Sequence, residues 1–107
     1  MKQNQDAIKR ENEVFSAYFA KMISEFVHRA DKLEMLMICL SGQHEMVTDF
    51  SGFRNFFTLN FFKKPIYNAH VLASKLGEDL LEAQTENENI FVVPTKTEKG
   101  YAALLTY

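Results

Sequence analysis

The sequence predicts a mainly α-helical chain with one β-hairpin near its carboxyl end. Apolar residues recur at helical spacing over the first third, and a proline opens a second helical pattern in the middle. After residue 80, β-favouring residues flank a polar turn. The chain has 107 residues, so we interpret residues 1–107 as a single domain.

Residues 5–29 predict one long amphipathic helix, which no glycine or proline interrupts. Its apolar stripe is wide enough to cover a core on one side and a second subunit on the other. A core helix and a dimer helix therefore both remain open. The residues expected at a dimer interface are Val14, Phe15, Tyr18, Phe19, Met22 and Phe26.

The next stretch predicts shorter helices. Asp31 and Glu34 form a capping box before an apolar run that ends near residue 40. Cys39 lies in that run, and we expect it to be an inert core thiol in a reducing compartment. Short helices, one of them over residues 50–57, are expected in the phenylalanine-rich segment that follows. Pro65 suits the first turn of the next helix.

Residues 81–95 predict the hairpin. Its strands would be residues 81–85 and 90–93, joined by the polar turn Glu86-Asn87-Glu88-Asn89. Pro94 would end the second strand, and Thr97 would cap a last short helix through Leu105.

This order of elements is that of a winged helix-turn-helix domain, and the chain from Lys63 onward resembles the MarR-type regulators. Residues 63–76 are similar to that family's recognition helix. Gly77, residues 80–82 and the run Thr97-Glu98-Lys99-Gly100-Tyr101 match its later motifs in order and spacing. The resemblance implies a recognition helix over residues 63–77, a wing over 81–95 and a dimerisation helix over 5–29.

The distribution of charge favours DNA contact by the same region. The formal net charge is −2, but residues 51–77 contain four basic and no acidic residues, so this window carries +4 and the remainder −6. Lysines at a helix N-terminus suit phosphate, and polar side chains in its first turns suit base edges. The expected DNA contacts are Arg54, Lys63, Lys64, Tyr67, Asn68, His70, Lys75 and Lys96.

The leading hypothesis is a cytoplasmic transcriptional regulator that binds specific double-stranded DNA as a homodimer. The alternative is a winged-helix module that docks on a protein and binds no DNA. Glu86 and Glu88 at the wing tip favour the alternative, because phosphate repels them. A ligand-sensing regulator is a third possibility, by analogy with the family alone.

We expect neither catalysis nor a metal or cofactor. His28, His44 and His70 have no partner at a metal-ligand spacing, and the sequence has no glycine-rich phosphate loop. No apolar run reaches the roughly 18 residues that a membrane span needs. The polar, mixed-charge start does not resemble a signal peptide.

Overall fold

The computed structural model describes residues 8–36 and 41–107, and for residues 41–43 the backbone alone. The described part of the chain is mixed α/β, with two helices and an antiparallel three-stranded sheet. Its elements in chain order are α1 (Glu13–Val27), β1 (Ser41–His44), β2 (Asn55–Phe57), α2 (Pro65–Ala73), β3 (Asp79–Leu80), β4 (Phe91–Thr97) and β5 (Gly100–Thr106).

Helix α1 confirms the first predicted helix over Glu13–Val27, but residues 10–12 and 28–29 are turns or bends, so the helix is shorter than predicted and is interrupted near its start. The Asn12 side chain accepts a hydrogen bond from the Val14 amide at 3.0 Å, which satisfies one free donor of the first turn. Phe19, Ala20 and Ser24 are buried where α1 packs against α2 and the sheet. Residues 5–7 of the predicted helix lie outside the described residues.

The three-stranded sheet has the order β3-β4-β5 and is antiparallel throughout. Helix α1 covers one face, where Val93 and Thr95 are buried and Lys21 Nζ lies 5.0 Å from the centre of the Phe91 ring. Pro94 lies inside β4, and its carbonyl accepts from the Leu81 amide at 2.9 Å. The N–H and C=O of a residue point to the same side of an antiparallel strand, so the missing N–H faces β3, just beyond the two paired residues of that short edge strand, and the ladder to β5 loses no bond.

The second sheet is small and parallel, and it positions the start of α2. Strands β1 and β2 pair with Ser41 opposite Asn55 and His44 opposite Phe57. After β2 the chain turns back, so that Lys63 bridges to Phe57. The Lys64 amide then donates to the Phe56 carbonyl at 2.9 Å, immediately before α2 begins.

Two predictions for the middle of the chain are wrong. The expected short helices over residues 50–62 are absent from the described chain, and strand β2 and turns stand there instead. Aromatic residues favour extended backbone, and pairing with β1 selects it here. Residues 31–36 contain a turn and a bend but no helix, and Leu33 and Met35 are exposed, so the helix predicted there is wrong as far as it is described. Cys39 lies outside the described residues.

The C-terminal elements are also shifted. A hairpin is present, but its strands are β4 and β5, and its two-residue loop lies between Thr97 and Gly100. Gly100 has a φ of +146°, a value that residues with a side chain rarely adopt. This backbone conformation lets the chain reverse direction within two residues. The expected last helix is therefore wrong, because pairing with β4 and packing against α1 override the helix propensity of its Ala and Leu residues. Residues 81–85 are not a strand, and the helix expected over 63–77 is Pro65–Ala73.

Candidate interaction site

A buried lysine connects three segments of the chain at the start of α2. Lys64 is fully buried, and its Nζ donates to Glu45 Oε1 at 2.6 Å and Glu11 Oε1 at 2.8 Å. It also donates to the Phe53 carbonyl at 3.2 Å, so all three ammonium donors have partners. Lys64 precedes Pro65, which holds it in extended backbone and directs the chain into the helix.

The two glutamates extend this network to the neighbouring loop. Glu45 Oε1 accepts from the Ser51 amide at 2.8 Å, and Glu11 Oε1 accepts from the Gly52 amide at 2.6 Å. Arg10 Nη1 adds a bond of 3.1 Å to the Gly52 carbonyl. The loop after β1 is thus held from inside by charge-assisted hydrogen bonds, which are about twice as strong as neutral ones.

The carboxyl groups of the two glutamates respond differently to the same cation. Burial raises the pKa of Glu11, and the nearby Glu45 charge adds to this, although Lys64 opposes both. Burial also acts to raise the pKa of Glu45, but hydrogen bonds from Lys64 and Ser51 and the Lys64 charge outweigh it and lower the pKa. Glu45 is also the more deeply buried carboxyl and the one closer to Lys64 Nζ, and we take it as the principal counter-ion of Lys64.

Two linked turns on this frame carry exposed phenylalanines. The first turn lies around residues 46–53, and the second is Thr58–Phe62, closed by a 3.0 Å bond from the Thr58 amide to the Phe62 carbonyl. Asp49 joins them, since Oδ1 accepts from the Asn60 amide at 2.8 Å and Oδ2 from the Asn60 side chain. These bonds, with one from the Thr58 hydroxyl, lower the pKa of Asp49. We name the four exposed side chains on these turns the phenylalanine surface: Phe50, Phe53, Phe61 and Phe62, each 46–65% exposed.

The backbone of these turns is strained at two of the four phenylalanines. Phe50 has a φ of +54° and Phe61 a φ of +63°, and these are the non-glycine residues with positive φ in the described chain. The left-handed region costs an ordinary residue roughly 1–2 kcal/mol, and glycine is the usual occupant. Two large apolar side chains, each only partly covered, thus occupy backbone positions where glycine would fit better, and the Phe61 ring lies 4.7 Å from the His44 ring.

The structure separates the residues that were expected to bind DNA. Arg54, Lys63, Asn68, Lys75 and Lys96 are exposed. Lys64 is enclosed in the ion network, so the expected contact with phosphate does not fit its position.

The two aromatic candidates for base contact are partly buried. Tyr67 lies against the rings of Phe56 and Phe57, at centroid distances of 5.9 and 5.2 Å. His70 stacks on Phe19 at 3.9 Å, and its Nδ1 lies 2.8 Å from the Ile66 carbonyl. Their rings serve the packing of α2 against α1 and β2.

The expected dimer residues are divided between the core and the surface. Phe19 is buried within the chain, whereas Val14 and Tyr18 are about half exposed. Phe15, Met22 and Phe26 are partly covered. The face of α1 that meets the sheet is thus already occupied.

Sequence reasoning missed Glu11 and Glu45, which lie 53 and 19 residues from Lys64. Each is an ordinary charged residue in the sequence, and the signal that pairs them exists only in three dimensions. The segment 58–62 did carry a turn signal in Thr58 and Asn60, because side chains of these types hydrogen-bond to nearby backbone in turns.

No protein-family model, curated protein or solved structure matches this chain. Within residues 8–36 and 41–107, no group of three or more His, Cys, Asp or Glu residues is placed to hold a metal ion. Among the described helices, none combines the length and the apolar character that crossing a membrane requires.

Proposed function

We propose that this protein is an interaction module that docks on a partner protein through the phenylalanine surface. The observation that carries the proposal is the positive φ of Phe50 and Phe61, two exposed phenylalanines. Backbone strain of this kind persists only where surrounding structure enforces it, and it concentrates at binding sites. The buried ion network and the Asp49–Asn60 bonds provide that enforcement.

The chemistry of the surface defines the partner that suits it. Aromatic side chains held on rigid turns lose little conformational entropy on binding and supply much of the energy of an interface. Arg54 and Lys63 are exposed beside them, and no acidic residue occurs from Ser51 to Gly77. A protein surface with apolar pockets and an acidic rim complements this arrangement.

Duplex DNA binding has weaker support than docking on a protein. Of the residues expected at bases, Asn68 alone is exposed, while Tyr67 and His70 are partly buried against other aromatic rings. The two-helix motif also has no support among the described residues before α2, since strand β2 and a turn stand where its first helix would lie. We therefore favour docking on a protein, and the proposal does not require that the domain be a winged helix.

The test uses the full chain and the double variant Phe61→Ser/Phe62→Ser. A partner captured by the native chain is identified, purified and titrated against both proteins. Loss of a single anchor worth roughly 2 kcal/mol corresponds to about 30-fold weaker binding, so the double variant should lose at least this much affinity. Tyr18→Ser, an exposed aromatic on α1, is the matched control and should leave the affinity unchanged.

Selection from a random duplex library runs in parallel. Duplex DNA that the native chain binds and that Lys63→Ala fails to bind, with no protein partner recovered, would overturn the proposal. Equal affinity of a purified partner for the native chain and the double variant would also contradict it.

A further inference from the structure

Strand β5 is an open sheet edge in the described part of the chain. It pairs with β4 over seven consecutive residue pairs, from Phe91 opposite Thr106 to Thr97 opposite Gly100, and with no other described strand. An edge strand offers a row of unpaired N–H and C=O groups to any further strand.

The register identifies which β5 residues face that edge. Because the Pro94 carbonyl bonds to Leu81, Pro94 faces β3, and the adjacent Thr95 faces β5. Thr95 stands opposite Ala102, so Ala102 and every second residue from it bond toward β4. The backbone groups of Tyr101, Ala103 and Leu105 consequently point to the open edge.

This edge carries none of the features by which proteins block strand addition. From Tyr101 to Tyr107 the strand has no charged residue and no proline, and its register with β4 has no bulge. Such features are the usual protection of an exposed edge against pairing. The edge-facing strand is also long, at seven residues.

The part of the outer sheet face that β5 contributes is apolar as well. Residues opposite one another share a face, so Val92, Pro94, Tyr101, Ala103 and Leu105 lie together on the side opposite to Phe91 and Val93, with the charged pair Asp79 and Lys96 toward β3. Tyr101, Leu105 and Tyr107 are each at least 68% exposed. A solvated antiparallel face normally carries polar residues, but every β5 residue on this face is aliphatic or aromatic.

We propose that β5 pairs antiparallel with β5 of a second copy of this chain, which makes one continuous six-stranded sheet across a two-fold axis. Self-pairing about a point near Ala103 sets Tyr101 of each copy opposite Leu105 of the other. A strand without charges brings no like charges together in that arrangement. A second copy matches the edge in length and hydrophobicity, and the contact is independent of the phenylalanine surface.

The test measures mass in solution by sedimentation equilibrium over about 10–500 μM chain, because dimerisation follows mass action. The native chain is expected to be a dimer at the upper end. Ala103→Pro removes an edge-facing donor and leaves the β4 ladder intact, and Leu105→Lys adds a charge to the contact. Both variants should remain monomeric at all these concentrations.

Two control variants locate the contact. Leu80→Lys lies at the β3 edge and Tyr18→Lys on α1, and both should still dimerise. Dimerisation that survives Ala103→Pro and Leu105→Lys but is lost in Tyr18→Lys would overturn the proposal in favour of α1. A native chain that stays monomeric throughout would overturn it too.

Amide hydrogen exchange of the native chain gives a readout that requires no variant. Protection of the Ala103 and Leu105 amides should rise about tenfold or more between the lowest and highest concentrations, by the same mass action. The Ala102 and Leu104 amides, which bond to β4, should change little. Equal changes at all four amides would contradict edge pairing.

Discussion

Lys64→Met tests the buried ion network most directly. Methionine fills nearly the same space, but it leaves Glu11 and Glu45 buried without their cation. Removing one partner of a buried ion pair costs about 3–5 kcal/mol of unfolding free energy. Each glutamate can avoid a buried, unpaired charge by taking up a proton. At pH 7 this costs about 3.4 kcal/mol for a carboxyl whose ordinary pKa is 4.5, so the destabilisation per glutamate cannot exceed that value. We therefore expect a loss of about 3–5 kcal/mol at pH 7, with Tm lower by on the order of 10–20 °C.

The free energy of unfolding should fall with rising pH in Lys64→Met, whereas the native ion pair stabilises the fold more as the pH rises. In the variant, the folded state must keep carboxyls protonated that the unfolded chain ionises above pH 4.5, so its stability falls as the pH rises. In the native chain, the lowered pKa of Glu45 contributes stability that is present above 4.5 and is lost as the pH falls.

Urea unfolding followed by circular dichroism, at about pH 5.5 and 7.5, measures the effect in the variant, and a further measurement of the native chain at about pH 3.5 measures the effect of Glu45. Lys75→Met is the matched control; its side chain is exposed and should change the free energy by less than about 0.5 kcal/mol. If Lys64→Met does not fold, adding Glu11→Gln and Glu45→Gln removes the uncompensated charge while keeping the acceptor oxygens. That triple variant should recover more than half of the loss. A Lys64→Met chain as stable as the control at both pH values would refute the reasoning.

Three further predictions concern the turns, the sheet and the glutamates. At Phe61, substitution to Gly should give a chain about 1 kcal/mol more stable than substitution to Ala, the reverse of the usual order, because φ is positive; equal urea midpoints would contradict this. Gly77→Ala should lose roughly 1–3 kcal/mol in thermal unfolding, since a Cβ there would lie 1.8 Å from the Lys96 carbonyl oxygen, and a native-like Tm would show that our geometry is wrong. Carboxyl carbon NMR shifts should show Glu11 titrating above and Glu45 below the ordinary pKa of 4.5, and the opposite order would reject the assignment of Glu45 as principal counter-ion.

Local periodicity predicted helices α1 and α2. The strands depend on pairing between segments that are distant in sequence or joined by a tight turn, which periodicity does not reveal. Helix α1 follows from its apolar stripe, and α2 follows from Pro65 and the pattern after it. Residues 102–105 favour a helix by propensity, but the tight turn at Gly100 brings them alongside β4. The ion network could not be predicted, because nothing near Lys64 in the sequence marks it as buried.

The electrostatic argument for DNA changes once the chain is folded. Residues 51–77 hold four basic residues and no acidic ones. Folding places two carboxylates from outside that window, Glu11 and Glu45, directly on Lys64. Lys64 is thereby neutralised, and the positive charge that the window still exposes is on Arg54, Lys63 and Lys75. A surface of this charge, with phenylalanines in its turns, suits the acidic rim and apolar centre of a protein partner better than a line of phosphates.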